Sequence, residues 1–211
     1  MRSYKLHLVR HGKTSANSEG RYIGGKTDEQ LSREGIAELK SLYEKGGYPR
    51  VPLVFSSPME RCLQTAKILF PNREIETVEN LREYNFGDFE NKIAAELDGR
   101  PDFAAWASGQ MPSPPNGESS KDFVARTALG LNEMIRIMME KEEYEAAAVM
   151  HGGSIMMLLA ACGLPQQPPA MWTSENGCGY TIMVTPSLYQ KTGAVEVVNY
   201  LPERNFEDEE I

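Results

Sequence analysis

The chain has 211 residues, of which 41% are hydrophobic and 25% are charged, a balance typical of a folded globular protein of one domain. Its formal net charge of -8 at pH 7 opposes electrostatic capture of nucleic acid or of an anionic membrane surface. The longest apolar runs fall well short of the roughly 20 residues that a membrane-spanning helix needs. We therefore expect a single soluble domain over residues 1–211 that binds neither nucleic acid nor membranes.

The cysteines and the chain ends indicate the compartment. Cys62, Cys162 and Cys178 are odd in number and far apart, which argues against a disulfide framework and against a zinc site. The first residues do not include the apolar segment of a secretory signal. These features predict a cytoplasmic protein, and the acidic residues at about 203–211 predict a solvated tail.

The first part of the chain alternates between strand and helix patterns. Apolar runs bounded by turn residues predict strands, and apolar residues at helical spacing behind a capping residue or a proline predict helices. In chain order these are a strand at 5–9, a helix capped by Ser32 and running to about Lys45, a strand at 53–56, a helix at 59–70 with Pro58 at its first position, and a strand at 75–78.

The second part begins with a loop or cap segment at about 88–118, in which residues 92–97 and 102–107 are weakly helical. A long helix follows from Ser119 or Ser120 to about Lys141, then a buried strand at 146–150, a helix to about Cys162, and strands at 179–184 and 194–199 that we expect to form an antiparallel edge. This alternation predicts a layered α/β fold with a largely parallel sheet.

Two of the predicted strands end in a His-Gly pair, at His11 and at His151. Because the carboxyl ends of parallel strands form one rim, we expect the two histidines to meet there. Arg10 directly precedes His11, and Arg61 lies in the first turn after the strand at 53–56, at the same rim. Two arginines and two histidines at one place form an anion site, and a planar guanidinium matches phosphate oxygens in pairs.

A proton donor is the further requirement of phosphate-ester chemistry, and Glu83 is a candidate. Flanking Leu81 and Phe86 place it beside apolar surface, which would raise its pKa. From spacing alone, a solvent-facing glutamate beside a strand is the commoner arrangement. The third histidine, His7, alternates with apolar neighbours and is interpreted as a structural residue.

Several other residues have two open interpretations. Tyr22, Phe86 and Trp106 either line a substrate mouth or simply pack, and the role of Met111 is open in the same way. The apolar run 156–159 is interpreted as core.

Residues 10–17, Arg-His-Gly-Lys-Thr-Ser-Ala-Asn, match the R-H-G-x-T-x-x-N signature of the histidine phosphatase superfamily, also called the phosphoglycerate mutase-like family. Further segments agree in the order of the family: residues 22–31 with Gly24 and Asp28, residues 56–66, Glu83 with Phe86-Gly87, residues 117–119, and His151-Gly152-Gly153. The chain thus resembles this family over almost its whole length. A lone R-H-G would be weak evidence, whereas this ordered set is specific.

The resemblance implies a three-layer α/β/α sandwich with a mostly parallel central sheet and a small cap segment. It implies His11 as the nucleophile that becomes phosphohistidine, Glu83 as the acid, and Arg10, Arg61 and a protonated His151 as the phosphate clamp. The substrate-binding residues that it implies are Asn17, Tyr22, Ile23, Gly24 and Gly152. It implies no metal and no cofactor, a small phosphorylated substrate, and inorganic phosphate as the product. The oligomeric state is left open.

The phosphatase branch is favoured over the mutases of the same family. In the mutases an arginine follows the glutamate and a lysine lies further on, whereas Tyr84 follows Glu83 here and Ala94 stands where that lysine would fall. The segment 89–117 is also shorter than the mutase insertion. The alternatives are a cofactor-dependent phosphoglycerate mutase and a catalytically silent phospholigand-binding module. The compact chain and its His-Gly-Gly segment resemble alpha-ribazole phosphatases, while sugar phosphates and other monoesters stay open as substrates.

Overall fold

The computed structural model describes residues 2–203, where strands pair into one mixed seven-stranded sheet. The strands are β1 (Tyr4–Arg10), β2 (Leu53–Ser56), β3 (Ile75–Thr77), β4 (Glu145–Met150), β5 (Gly163–Leu164), β6 (Gly179–Val184) and β7 (Val195–Leu201), arranged in the order β3-β2-β4-β1-β6-β7-β5. The predicted acidic tail lies outside the described residues from position 204 onward.

The helices alternate with these strands along most of the chain. They are α1 (Ser15–Glu19), α2 (Arg33–Lys45), α3 (Glu60–Leu69), α4 (Ala94–Leu97), α5 (Pro101–Ala107), α6 (Ser120–Glu140), α7 (Gly152–Cys162) and α8 (Pro186–Thr192). Ser32 and Ser119 cap α2 and α6 by accepting a hydrogen bond from the backbone three residues on. Between residues 2 and 203, no helix has both the length and the apolar character needed to cross a bilayer.

The register of the central strands brings their carboxyl ends together. In the parallel pair β1 and β4, Arg10 lies opposite Met150, and in the parallel pair β2 and β4, Ser56 lies opposite Val149. The residues that follow β1, β2 and β4 therefore emerge at one rim. This confirms the expectation that distant segments meet at the end of a parallel sheet.

Alternate residues of the central strands pack into two separate cores. Leu6 and Leu8 belong to the core that includes the buried faces of α6 and α7. Val9 belongs to the opposite core, which includes buried residues of α2 and α3. Helices thus cover both faces of the sheet, as the predicted three-layer sandwich requires.

The structure differs from the sequence-based prediction at several boundaries. Strands β6 and β7 do pair antiparallel, but β6 lies inside the sheet beside β1, and the two-residue β5 forms the edge beyond β7. Pro58 is not the first helical residue, because Met59 keeps an extended backbone and α3 begins at Glu60. The short helices α1 and α8 were not predicted, since five and seven residues give too little helical periodicity.

Candidate active site

The rim of the sheet brings the two predicted catalytic histidines together. His11 follows β1, and His151 is the N-cap residue of α7 after β4. Their ring centroids are 5.3 Å apart, and the two residues are 5% and 0% exposed. The meeting of the two His-Gly pairs, predicted from the strand ends, is confirmed.

Backbone contacts orient the imidazole of His11. Its Nδ1 lies 2.7 Å from the carbonyl oxygen of Gly12. A carbonyl can only accept, so Nδ1 carries the proton and Nε2 carries the lone pair. Burial, reinforced by the positive charge of Arg61, lowers the pKa of His11 to about 3. At neutral pH the ring is therefore uncharged, with Nε2 available as a nucleophile.

Polar contacts fix the loop that carries His11. The side-chain amide of Asn176 donates to the carbonyl of His11 at 2.8 Å. The hydroxyl of Thr65 accepts from the Gly12 N–H at 2.9 Å and donates to the carbonyl of Arg61 at 2.7 Å. Thr65 thus ties the loop of His11 to the helix that carries Arg61. Sequence reasoning missed Thr65 and Asn176 because their partners are distant in the chain.

The guanidinium groups of the half-buried Arg10 and the buried Arg61 belong to the same site. Arg10 Nη1 donates to the carbonyl of Ser174 at 2.6 Å, and the fully buried Arg61 donates to the carbonyls of Thr27 at 2.9 Å and Gly24 at 3.2 Å. The Nε atoms of both arginines are buried without a hydrogen-bond partner among the described residues. Unpartnered buried donors are costly unless a ligand engages them, so both arginines fit an anion-binding role.

Burial determines the charge of His151 before a phosphate binds. Burial and the nearby Arg61 hold the pKa of His151 well below its usual value, so the imidazole is neutral rather than protonated. Its Nε2 lies 2.8 Å from the hydroxyl of Ser57. The negative charge of a bound phosphate would favour protonation, and only then does His151 become a cation.

Glu83 lies at the amino end of α7. One carboxylate oxygen accepts from the backbone N–H of Tyr84 at 2.8 Å, and the other accepts from Gly153 at 3.3 Å. A Cβ at Gly153 would lie 2.8 Å from that carboxylate, so the glycine permits the close approach. Burial raises the pKa of Glu83, while the backbone N–H groups and Arg61 act in the opposite direction. The predicted rise in the pKa of Glu83 is confirmed.

A cavity of about 470 Å³ opens over these groups. Arg10, His11, Glu83 and Gly152 line its inner part. The predicted substrate-binding residues Asn17, Tyr22 and Ile23 also line it. Tyr22, Phe86 and Trp106 both line the cavity and pack against one another, so the two interpretations hold together.

Three predicted site residues are not among those that line this cavity: Arg61, His151 and Gly24. Arg61 and His151 are wholly buried, so they reach a ligand only through the floor of the site. The Gly24 N–H donates to Glu90 at 3.0 Å, and its carbonyl accepts from Arg61. A Cβ at Gly24 would collide with the carbonyl of Tyr84. These contacts show that Gly24 helps to hold Arg61, and its predicted contact with a substrate stays a prediction.

Other lining residues were missed or misassigned from the sequence. Met156 and Met157, interpreted as core, line the cavity, although Met156 also packs against the core, and Leu158 and Leu159 are in the core as expected. Thr173 and Ser174, between α7 and β6, line it without any sequence signal that pointed to them. The hydroxyl of Ser174 is buried and lacks a hydrogen-bond partner among the described residues.

The third histidine lies away from the cavity. His7 Nδ1 is 2.8 Å from the hydroxyl of Thr181, and Nε2 is 3.1 Å from a carboxylate oxygen of Glu145. These contacts confirm its structural role. In the part of the chain that the structure describes, no three His, Cys, Asp or Glu side chains are grouped as a metal site would require.

Comparison with known proteins identifies the family. The model of the histidine phosphatase superfamily (branch 1) matches residues 6–197. The chain is 29% identical over 204 residues to the adenosylcobalamin/alpha-ribazole phosphatase of Escherichia coli K12, covering 92% of this chain and 95% of the relative. It is 30% identical over 188 residues to the glucosyl-3-phosphoglycerate phosphatase of Mycobacterium tuberculosis, covering 85% and 83%.

A solved structure supports the same fold. The putative alpha-ribazole-5'-P phosphatase of E. coli K-12 superposes with a TM-score of 0.76 at 24% identity, covering 92% of this chain and 94% of that one. With the family match over most of its length, the chain belongs to branch 1 of the histidine phosphatase superfamily.

Proposed function

We propose that the protein is a metal-independent phosphomonoesterase that acts on a small phosphorylated metabolite through a phosphohistidine at His11. One observation carries the proposal: a neutral His11 lies beside the half-buried Arg10 and the fully buried Arg61, and the buried Nε–H groups of both arginines have no partner among the described residues. A neutral nucleophile within a cationic, buried pocket suits attack on a phosphate dianion. Glu83, with its raised pKa, supplies the acid on the same cavity.

In the first step, the Nε2 lone pair of His11 attacks phosphorus in line with the ester oxygen. The bond between phosphorus and that oxygen breaks, and Glu83 transfers its proton to the departing alkoxide. Arg10 and Arg61 stabilise the charge on the equatorial oxygens, and His151 joins them once the phosphate favours its protonated form. The products are the alcohol, phosphohistidine and the Glu83 carboxylate.

In the second step, water cleaves the phosphohistidine. The Glu83 carboxylate accepts a proton as the water oxygen attacks phosphorus, and the bond between phosphorus and Nε2 breaks. Inorganic phosphate leaves, and both side chains return to their starting protonation states. The positive charge that the transition state needs comes from protein side chains, so the scheme calls for no cofactor.

The named relatives support the substrate class. An alpha-ribazole phosphatase and a glucosyl-3-phosphoglycerate phosphatase are both enzymes that hydrolyse phosphate monoesters of small molecules. This chain is an enzyme of the same type, and we expect it to act in the cytoplasm.

The geometry also bears on the mutase alternative. A mutase needs a cation to hold the carboxylate of its substrate. Arg21, which lines the cavity on the cap side, already contacts Glu19 at 2.6 Å and Glu96 at 3.4 Å. Ala94, at the position of the mutase lysine, is exposed at the start of α4. These features favour the phosphatase. A silent binding module is disfavoured because nucleophile, acid and clamp are all present.

The test is phosphate release from a panel of phosphomonoesters with excess chelator, with His11→Ala as the control. We expect hydrolysis by the wild type and none by the variant, because no other side chain at the rim offers an equivalent nucleophile. With 3-phosphoglycerate and its bisphosphate, we expect little isomerisation relative to hydrolysis. Activity that appears only with added magnesium or zinc, or efficient isomerisation, would contradict the proposal.

A further inference from the structure

We propose that the preferred substrate is a phosphate ester whose alcohol carries a flat apolar or aromatic group and no second acidic group. This inference rests on the proposed function and narrows it to a class of substrate. It follows from the side chains of the cavity that lie beyond the reacting atoms.

One side of the cavity is an aromatic wall, which we define as Tyr22, Tyr84, Phe86, Trp106 and Phe123. The ring of Tyr22 lies 5.2 Å from Phe86 and 5.9 Å from Trp106, and Phe86 lies 5.0 Å from Tyr84. Edge-to-face packing of this kind holds the rings in fixed orientations. The wall is therefore a rigid apolar surface and not a set of mobile side chains.

The rings at the mouth keep part of their surface exposed. Tyr22, Phe86 and Trp106 are half-buried, whereas Phe123 is 2% exposed and packs edge-to-face against Tyr84 with ring centroids 5.2 Å apart. Half-buried aromatic faces around a concave space gain stability when a ligand covers them. A planar ring on the substrate is the group that covers them most fully.

Further apolar side chains add to the lining. Met156 and Met157 come from α7, and Ile23 follows Tyr22. Methionine is flexible and polarisable, and it packs well against aromatic rings of varied shape. The cavity thus combines a fixed aromatic wall with an adaptable thioether surface.

The charges of the lining disfavour a second anion. Its charged side chains, among the described residues, are Arg10, Arg21 and Glu83. Arg10 and Glu83 belong to the proposed reaction. Arg21 is held by Glu19 and Glu96, and its Nη1 also donates to the carbonyl of Asn91 at 2.8 Å. A second phosphate or a carboxylate on the substrate would be desolvated beside apolar rings, and no unpaired cation of the lining would compensate for that cost.

The volume agrees with this class of substrate. About 470 Å³ lies within the usual range of small-molecule sites and is more than a phosphoryl group alone fills. The remaining space accommodates a fused ring system next to the ester oxygen.

The experiment compares kcat/KM for three esters of primary alcohols, which share similar leaving groups: 2-(2-naphthyl)ethyl phosphate, glucose 6-phosphate and 3-phosphoglycerate. We expect the naphthyl ester to be preferred by roughly 10- to 100-fold over the other two, from the apolar surface that it covers. Equal values for the naphthyl ester and glucose 6-phosphate would overturn the inference while leaving the proposed function intact. No hydrolysis of any ester would overturn both.

Two variants test whether the aromatic wall causes the preference for the naphthyl ester. Trp106→Ala should lower the ratio of kcat/KM between the naphthyl ester and glucose 6-phosphate by roughly tenfold, because the ring loses a stacking partner. Phe103→Leu is the matched control: Phe103 lies on the same helix and 6.0 Å from Trp106, but it does not line the cavity. In Phe103→Leu, the ratio of kcat/KM between the naphthyl ester and glucose 6-phosphate should stay within about twofold of the wild-type ratio. An equal fall in both variants would refute the role of the aromatic wall.

A third variant tests the charge argument. Glu19→Gln removes the carboxylate closest to Arg21. It should raise kcat/KM for 3-phosphoglycerate several-fold relative to glucose 6-phosphate, because Arg21 then has a partly unpaired guanidinium. An unchanged ratio would show that pairing of Arg21 does not set the discrimination against acidic substrates.

Discussion

Glu83→Gln tests whether this side chain donates a proton in the first step. The glutamine is nearly isosteric, and its carbonyl oxygen can still accept a hydrogen bond from the Tyr84 N–H, as Glu83 does at 2.8 Å, while its amide nitrogen cannot accept the 3.3 Å bond from the Gly153 N–H. The side chain therefore keeps its place at the amino end of α7. What it loses is the transferable carboxyl proton, whose retention burial favours by raising the pKa of Glu83.

The size of the loss follows from the leaving group. A positioned general acid contributes roughly 10²- to 10⁴-fold, which corresponds to about 3–5 kcal/mol in the barrier. An alkyl phosphate releases a strongly basic alkoxide and should show the full loss. A nitrophenolate departs with little help, so the nitrophenyl ester should lose only about tenfold or less in the first step.

Single-turnover kinetics with both esters is the assay, because it isolates phosphohistidine formation from the later attack of water. Asp88→Asn is the control, since Asp88 is an exposed carboxylate that contacts the amide of Asn116 at 3.1 Å. It should behave as the wild type with both esters. Equal losses on the two esters in Glu83→Gln would remove the acid role from Glu83.

Two further predictions concern stability and positioning. Thr65→Val leaves the buried Gly12 N–H without its hydrogen-bond partner. We expect the free energy of unfolding, measured in urea, to fall by about 1–3 kcal/mol and kcat to fall as well, and we expect Thr65→Ser to restore both. A fully active Thr65→Val would contradict the positioning role of Thr65. Burial lowers the pKa of all three histidines in the folded chain. Below about pH 6.5 the unfolded chain therefore takes up protons that the folded chain does not, and the free energy of unfolding falls. His11 alone should lower that free energy by about 1.4 kcal/mol for each pH unit. The raised pKa of Glu83 has the opposite effect on the free energy of unfolding, because the folded chain then binds a proton that the unfolded chain does not. This single proton offsets the effect of at most one histidine. Urea unfolding between pH 7 and pH 5 measures the sum, and stability that increases on acidification would be the contrary result.

The sequence predicts the parts of the site that strand ends control. His11 and His151 each follow an apolar run that forms a central strand, and parallel pairing then places them at one rim. Glu83 has no such signal: it was assigned through the family resemblance, and its burial depends on the backbone of α7 coming close to it.

Contacts between distant segments were beyond sequence reasoning. Thr65 meets Gly12 from 53 residues away, and Asn176 meets His11 from 165 residues away. The lowered pKa of His151 was not predicted, for a related reason. Its pKa depends on how completely the assembled fold excludes water and how close Arg61 comes, and neither quantity is visible in local spacing.

The covalent intermediate is the central claim, and mass spectrometry of rapidly quenched enzyme tests it most directly. Glu83→Gln mixed with nitrophenyl phosphate is the best sample, because the first step needs little acid help while the attack of water loses its base. Quenching at alkaline pH protects phosphohistidine during digestion. We predict one added phosphoryl group on the peptide that contains His11, and none in His11→Ala. A phosphoryl group on Ser57 or Ser154, or turnover with no labelled peptide, would contradict the mechanism.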